Sequence, residues 1–268
     1  MPENKVIQIQ GILVIVARRN FKGLAHWIEE LARREIPAVI QVDESTIAEH
    51  CHVLKEFTGK RFEFGGAYNE RPFWDEPFGR QYEIMRGMKD KLEACLNKPM
   101  RVFQSMYMAY NEATLQAADK LGIEFILARG ASGASAVVYQ PLEYQVKIIS
   151  ASNVPSKDMG SGSLCDHSLW CRTETPASFR DILFALKEDR IILVAQAYLS
   201  GIKLRWWNVY QDFLNADIVA WKTLDEFATI FELRPNAQIQ VNTEVDYTTP
   251  KPKIPLEQEP NYPFEQQK

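Results

Sequence analysis

The amino-acid sequence predicts an α/β fold and, within that class, a parallel (β/α)7–8 barrel. Three observations carry the prediction. Short β-rich apolar runs alternate with stretches whose apolar residues recur three and four apart. Most of the strand-like runs begin 21 to 27 residues after the one before, the span of one strand and its helix. No Gly-x-Gly-x-x-Gly follows any of them, which favours a closed barrel over a doubly wound, dinucleotide-binding sheet.

In order along the chain, candidate strands run from Ile12 to Ala17, Ala38 to Val42, Arg61 to Gly65, Met100 to Gln104, Ile123 to Ala128, Tyr144 to Ser150, Arg190 to Ala197 and Asp217 to Trp221. Helices lie between them. Phe21, Leu24, Ile28 and Leu31 form the apolar stripe of the first, and Ile47, Cys51 and Leu54 that of the second. Asn111 caps a helix that carries Leu115 and Leu121 and ends at Gly122, while Thr175 places a capping hydroxyl before Pro176 in a first turn. Trp206, Trp207, Tyr210 and Phe213 read as a buried helix, and Thr223-Leu224-Asp225-Glu226 as a capping box opening the last one. Two connections break the rhythm, residues 66–79 and 151–175. Both leave the carboxyl ends of strands, which is the working face of a barrel, so function is expected there.

The chain has 268 residues, 46% apolar and 25% charged, so one barrel domain over residues 1–245 is expected. Residues 246–268 hold Pro250, Pro252, Pro255, Pro260 and Pro263 and predict an extended tail, a strap that in one reading joins a neighbouring copy into a homo-oligomer. Thirty-one basic against 35 acidic residues, in no long blocks, leave no footprint for nucleic acid. The apolar runs are too short to span a membrane. Met1-Pro2-Glu3-Asn4-Lys5 opens no secretory leader, and the expected location is the cytoplasm. The expected ligand is a carbohydrate or another small molecule.

Four histidines bound the metal question. His26 lies beside Trp27 on the first helix and reads as packing. His50 and His52 flank Cys51, and at ~100° per residue their rings point about 200° apart, so they do not meet on one ion. His167 stands next to Asp166 in the second long connection, where a carboxylate can orient an imidazole for acid–base work. These two are candidate catalytic residues. Cys165 and Cys171 match no short paired-cysteine motif and are expected as free thiols, and Cys95 belongs to a buried helix stripe. Asp43 follows the second strand and is a third catalytic candidate, although its place before Ser45 and Thr46 also suits a helix cap. Tyr68 and Trp74, then Tyr107, Tyr110 and Trp170, supply rings near amides such as Asn69, the means by which sugar faces are gripped. Residues 130–135, beside Arg129, lack the Lys-Ser/Thr ending of a phosphate-binding loop and predict a tight turn.

Between Met85 and Arg129, the segments Lys98-Pro99-Met100-Arg101-Val102-Phe103-Gln104, Ala109-Tyr110-Asn111-Glu112-Ala113-Thr114-Leu115 and Ala118-Asp119-Lys120-Leu121-Gly122-Ile123-Glu124 follow one another in a characteristic order. That order resembles the central third of the polysaccharide deacetylase family, the NodB-homology barrel. Ile36-Pro37-Ala38-Val39-Ile40, Arg61-Phe62-Glu63-Phe64-Gly65 and Arg190 to Ala197 fall where that family has its second strand, the strand before its metal histidines, and its last histidine motif. The resemblance implies a divalent metal held by one Asp and two His, with a second Asp as base and a later His as acid. None of these residues stands at the matching positions. The first strand ends in Ala17-Arg18-Arg19-Asn20, the His-x-x-x-His position reads Gly66-Ala67-Tyr68-Asn69-Glu70-Arg71, the Arg-Pro-Pro motif becomes Gln104-Ser105-Met106, and the last histidine falls at Gln196.

The sequence therefore predicts a deacetylase-like barrel that binds or acts on a carbohydrate with no bound metal or cofactor. Expected ligand-contacting residues are Arg18, Glu63, Asn69, Gln104, Tyr107, Tyr110, Arg129, Trp170 and Gln196. An active carbohydrate hydrolase with atypical ligands and an oligomeric interaction protein are the alternatives.

Overall fold

The computed structural model of the protein describes residues 8–129, 135–236 and 255–264. β1 (Ile9–Val16), β2 (Ala38–Val42), β3 (Phe62–Tyr68), β4 (Val102–Ser105), β5 (Phe125–Ala128), β7 (Lys147–Ser150) and β10 (Arg190–Gln196) line up in parallel in the order β10-β1-β2-β3-β4-β5-β7. These are seven staves of the expected barrel. The eighth expected strand, β11 (Val219–Trp221), pairs only with the first residues of β1, on the edge whose upper half pairs with β2.

Around the staves lie α1 (Phe21–Arg33), α2 (Glu44–Glu56), α3 (Phe78–Leu96), α4 (Glu112–Leu121), α6 (Pro176–Phe184) and α7 (Leu204–Asn215), with α8 (Leu224–Phe227) after β11. The local signals operate as read. Asn111 accepts from the N–H of Thr114, Gly122 ends α4 at φ 65°, and Thr175 and Thr223 make reciprocal capping boxes. Helix α1 starts close against the loop after β10, since a Cβ at Gly23 would come within 2.0 Å of the Ala197 carbonyl oxygen.

Successive β1 residues separate into two cores. Leu13, Ile15 and Ala17 pack outward against the helices, whereas Ile12, Val14 and Val16 share the barrel interior with Val39, Ala67, Val102, Leu127, Ile192 and Val194. That is the period-2 alternation of a strand covered on both faces.

Two expectations change. The repeat is broken by β6 (Val137–Pro141), a strand the sequence reading did not place, which pairs antiparallel with β7, with β12 (Glu232–Arg234) beyond it. The connection over residues 151–175, for which no elements were expected, has secondary structure of its own. It holds the hairpin β8 (Asn153–Pro155) and β9 (Ser161–Ser163), then a short helix α5 (Asp166–Cys171).

This connection closes the barrel. The free edge of β10 carries the N–H groups of Ile192, Val194 and Gln196. They donate in turn to Ser152 Oγ at 3.0 Å, the Leu164 carbonyl at 2.9 Å and the Asp166 carboxylate at 3.1 Å. Lower down, Ala136 N–H donates to the Arg190 carbonyl at 2.8 Å. Buried backbone donors need partners, and on this edge side chains and a non-ladder carbonyl supply them.

Residues 255–264 of the Pro-rich tail dock on the chain's own barrel. Tyr262 N–H donates to Ile202 O at 2.6 Å, and the Tyr262 ring packs on His26 and Trp207. The strap is intramolecular over these residues. His26 plays its expected packing role and donates through Nδ1 to Gly201 O at 3.0 Å.

The cysteines bring a correction. Cys95 lies on a buried stripe as read, but it is bridged to Cys51, joining α2 to α3 with Cα atoms 5.6 Å apart. Sequence spacing does not reveal such pairing. Bridges of this kind are rare in reducing compartments. Cys165 and Cys171 are free. The Cys51–Cys95 bridge spans a sequence separation of 44 residues. Replacing both cysteines by serine is expected to lower unfolding free energy by about 2–4 kcal/mol in urea titrations. Reductant should lower the wild-type midpoint and leave the variant unchanged, and equal midpoints would show that the bridge contributes nothing.

Candidate functional site

The carboxyl ends of the staves carry one polar layer. Two residues beyond the interior-facing Val16, Val39, Ala67, Val102, Leu127 and Val194 stand Arg18, Gln41, Asn69, Gln104, Arg129 and Gln196. Alternation puts Gln41, Gln104 and Gln196, which lie within their strands, on the face of their predecessors, while Asn69 and Arg129 directly follow their strands and Arg18 stands in the turn after β1. Val16 is in register with both Gln41 and Gln196, and Ala67 with Gln104, so the amides ring the top of the apolar interior. Gly65, opposite Gln41, makes room for one of them: a Cβ there would lie 2.7 Å from Gln41 Nε2.

Among these amides, polar atoms are both buried and unsatisfied. Gln41, Gln104 and Gln196 are 0%, 4% and 8% exposed. Both polar atoms of Gln41 and the Oε1 atoms of Gln104 and Gln196 have no hydrogen-bond partner within the protein. Leaving such a group unmet costs about 1–3 kcal/mol, so the arrangement favours a polar occupant.

Above the layer, α5 hangs from β10 by Asp166. This carboxylate is fully buried and accepts from the backbone N–H of His167 at 2.7 Å and of Gln196 at 3.1 Å. Burial raises its pKa to about 6 against those bonds. The expected Asp–His dyad does not form, because Asp166 takes the backbone of His167 and not its ring. The ring's Nδ1 is hydrogen-bonded to the Tyr198 hydroxyl, and Cys171 Sγ lies 3.6 Å from Nε2. Trp170 packs beside the ring, with centroids 5.9 Å apart. Burial, then the charges of Arg18 and Arg172, push His167 down to about 3, so the imidazole is neutral. Burial also raises the Cys171 thiol and carries the Tyr198 phenol far above its ordinary range.

Arg18 closes the group. Its guanidinium stands 5.7 Å from the Tyr198 ring centroid. Arg18 and Arg19 are left-handed, at φ 47° and 57°, as are Tyr107 and Met108 after β4, at 58° and 53°. Non-glycine residues held this way often mark functional loops.

Other predicted residues fall elsewhere. Asp43 is a cap: it accepts from Thr46 N, Thr46 Oγ1, Ser45 Oγ and Arg19 N at 2.6–2.9 Å, which leaves it no role as a free base. Glu63 lies at the opposite end of the barrel, in the first turn of β3 beside Arg101 at 3.3 Å, roughly 20 Å along the strand from Asn69. Its position at the start of the strand, six residues before Asn69, separates it from the mouth. Tyr107 is exposed after β4, and Tyr110 is buried against the helix layer. A cavity of about 320 Å³ also opens at the far end, beside Leu31, Ile36, Arg61 and Phe62, and includes none of the predicted residues. The turn expected at residues 130–135 lies almost wholly outside the described residues. Sequence reading missed Gln41 and Tyr198; Gln41 continues the inward parity of Val39, whereas Tyr198 lies in the turn after β10, where alternation gives no signal.

No protein-family model matches the chain, and no curated protein matches it by sequence. Solved structures do. A Mycobacterium smegmatis protein assigned to the polysaccharide deacetylases superposes with a TM-score of 0.65 at 12% identity, covering 85% of this chain and 91% of that one. The fold is that of the polysaccharide deacetylases. An allantoinase superposes at 0.63 and 11% identity, over 84% and 90% of the two chains. A carbohydrate-esterase family 4 pseudoenzyme from Bacillus anthracis does so at 0.53 and 10%, over 84% and 63%.

Within this deacetylase fold, the residues at the metal positions do not fit a divalent cation. A guanidinium stands after β1 and an amide after β3, the position of the later acid histidine at the end of β10 holds another amide, and among the described residues no cluster of three His, Cys, Asp or Glu side chains is placed to hold an ion. Primary amides and a guanidinium hydrogen-bond well and ligate a hard or borderline cation poorly. The acid–base groups are neutral or committed to backbone. The site's chemical capacity is therefore directional hydrogen bonding beside aromatic faces.

The sign of the His167 shift makes a stability prediction. A histidine at about 3 in the fold and 6.5 unfolded removes stability as pH falls from about 6.5 towards 3. Asp166, at about 6 against 3.8, removes stability as pH rises through that window and partly offsets it. His167→Gln deletes only the first slope, up to about 1.4 kcal/mol per pH unit. The variant is expected to gain stability relative to wild type between pH 7 and pH 4 in urea midpoints; parallel changes would refute the buried neutral imidazole.

Proposed function

We propose that the protein is a carbohydrate-binding pseudoenzyme on a deacetylase barrel, holding sugar without metal-dependent hydrolysis. One observation carries the reading: the buried, partnerless amide atoms of Gln41, Gln104 and Gln196 ring the barrel mouth where the fold's chemistry would sit. Amides donate and accept, which matches the paired hydroxyls of a sugar, and the rings of Trp170 and Tyr198, which flank His167, add aromatic surface. The same barrel occurs in the Bacillus anthracis pseudoenzyme, of which a mutant with restored enzymatic activity has been solved. Loss of chemistry on this fold thus has a precedent. Fold alone does not assign a reaction, and the neutral His167 and committed Asp166 argue against proton transfer here.

The test pairs binding with turnover. Wild type is expected to bind chito-oligosaccharides calorimetrically and to release no acetate from them, with or without added zinc or manganese. Gln196→Leu should weaken binding about tenfold, the worth of one directed hydrogen bond in a dry site. Acetate release that falls in a His167→Gln variant would replace this reading with that of an active hydrolase.

A further inference from the structure

The mouth holds a cation with no counter-ion, where the deacetylase fold would place acidic residues. Arg18 is half-buried, and among the described residues no carboxylate lies within ion-pair distance of it. The neighbouring acids are otherwise engaged. Asp43 is filled by four donors, Glu70 pairs with Arg19 at 3.4 Å, and Asp166 is taken by backbone N–H groups. Arg172 adds its charge, but its fork is occupied by Ser161 O at 3.0 Å and by Ser168 O and Oγ at 2.9 and 3.0 Å. The Arg18 guanidinium stands over the Tyr198 ring, close enough to His167 and Cys171 to act on them electrostatically, and among the described residues no acceptor is hydrogen-bonded to its N–H donors.

We infer that Arg18, seated on Tyr198, receives the carboxylate of an acidic sugar, with the glutamine layer holding the hydroxyls of the same molecule. Half-burying a guanidinium without a partner is costly, and a planar carboxylate matches its fork with two parallel bonds. One uncommitted guanidinium balances one negative charge, which favours a monoanionic carboxylate over a phosphate dianion. The placement suits one ligand: Arg18 is two residues past Val16, whose register partners are Gln41 and Gln196, so its Cα lies at most about 7 Å from that of Val16. This deepens the carbohydrate reading and rests on it for the sugar, though not for the anion.

The test uses the full chain and three probes: a tetrasaccharide alternating N-acetylglucosamine with glucuronic acid, its neutral N-acetylglucosamine counterpart, and sodium acetate. By calorimetry, wild type is expected to bind the acidic sugar about 10- to 100-fold more tightly than the neutral one, the range of a charged hydrogen-bonded contact. Arg18→Asn, a residue that tolerates the left-handed backbone, should bring the two affinities together. Arg18→Lys keeps the charge and serves if the first variant does not fold; it should retain part of the preference. Acetate should shift the ring resonances of His167 in wild type and not in Arg18→Asn. Equal affinities for the two sugars, with no acetate response, would overturn the inference and leave the carbohydrate reading intact. An Arg18-dependent acetate response with no sugar bound would support the anion site and remove the carbohydrate reading, and failure of all three probes would end both.

Discussion

The free edge of β10 is the constraint on which the upper half of the molecule depends. A parallel sheet curled into a barrel must either close its ladder or find other partners for a row of buried N–H groups. Here the ladder does not close, and the serine hydroxyl of Ser152, the carbonyl of Leu164 and the carboxylate of Asp166 take the three donors in order. Because the last of these belongs to the first residue of α5, satisfying the edge also anchors that helix. His167, Trp170 and Cys171 are thereby carried to the mouth. Asp166 is held in its charged form by hydrogen bonds and pushed towards its neutral form by burial, and that tension is the cost of using a carboxylate as a structural pin.

Below that pin the barrel has two environments stacked along its axis. Valines and isoleucines fill much of the interior, and the next inward positions on β2, β4 and β10 switch together to the amides of Gln41, Gln104 and Gln196, with Arg18 in the turn after β1. The switch changes the kind of chemistry available. Carboxylates and imidazoles at those positions would gather a cation and move protons, whereas glutamines and a guanidinium gather acceptors and hydroxyls. The neutral state of His167 follows from the same surroundings, since a buried imidazole between two guanidinium charges cannot hold a proton at ordinary pH.

Much of this was legible in the linear chain because it depends on local periodicity. All eight candidate strands exist, the caps at Asn111, Thr175 and Thr223 form, and the inward places of Gln104 and Gln196 follow from counting by two along their strands. Gln41 was open to the same count. Less legible were features whose partners lie far away. The strand β6 that pairs with β7 was not among the candidates, and Tyr144, read as strand, instead makes the turn between them through its N–H to Pro141 O.

Alternation, capping and composition therefore determined the barrel class and the residues that face its axis, because each is set by neighbours within four positions. Tertiary structure alone decided that Cys51 meets Cys95, that Glu63 sits at the wrong end for ligand, that Asp166 grips a backbone and not an imidazole, and that Tyr198 lies under Arg18. Each of these is a meeting of groups from separate elements. Which of several competent partners a buried polar group takes is settled by where the folded chain brings them, and sequence spacing carries no measure of that distance.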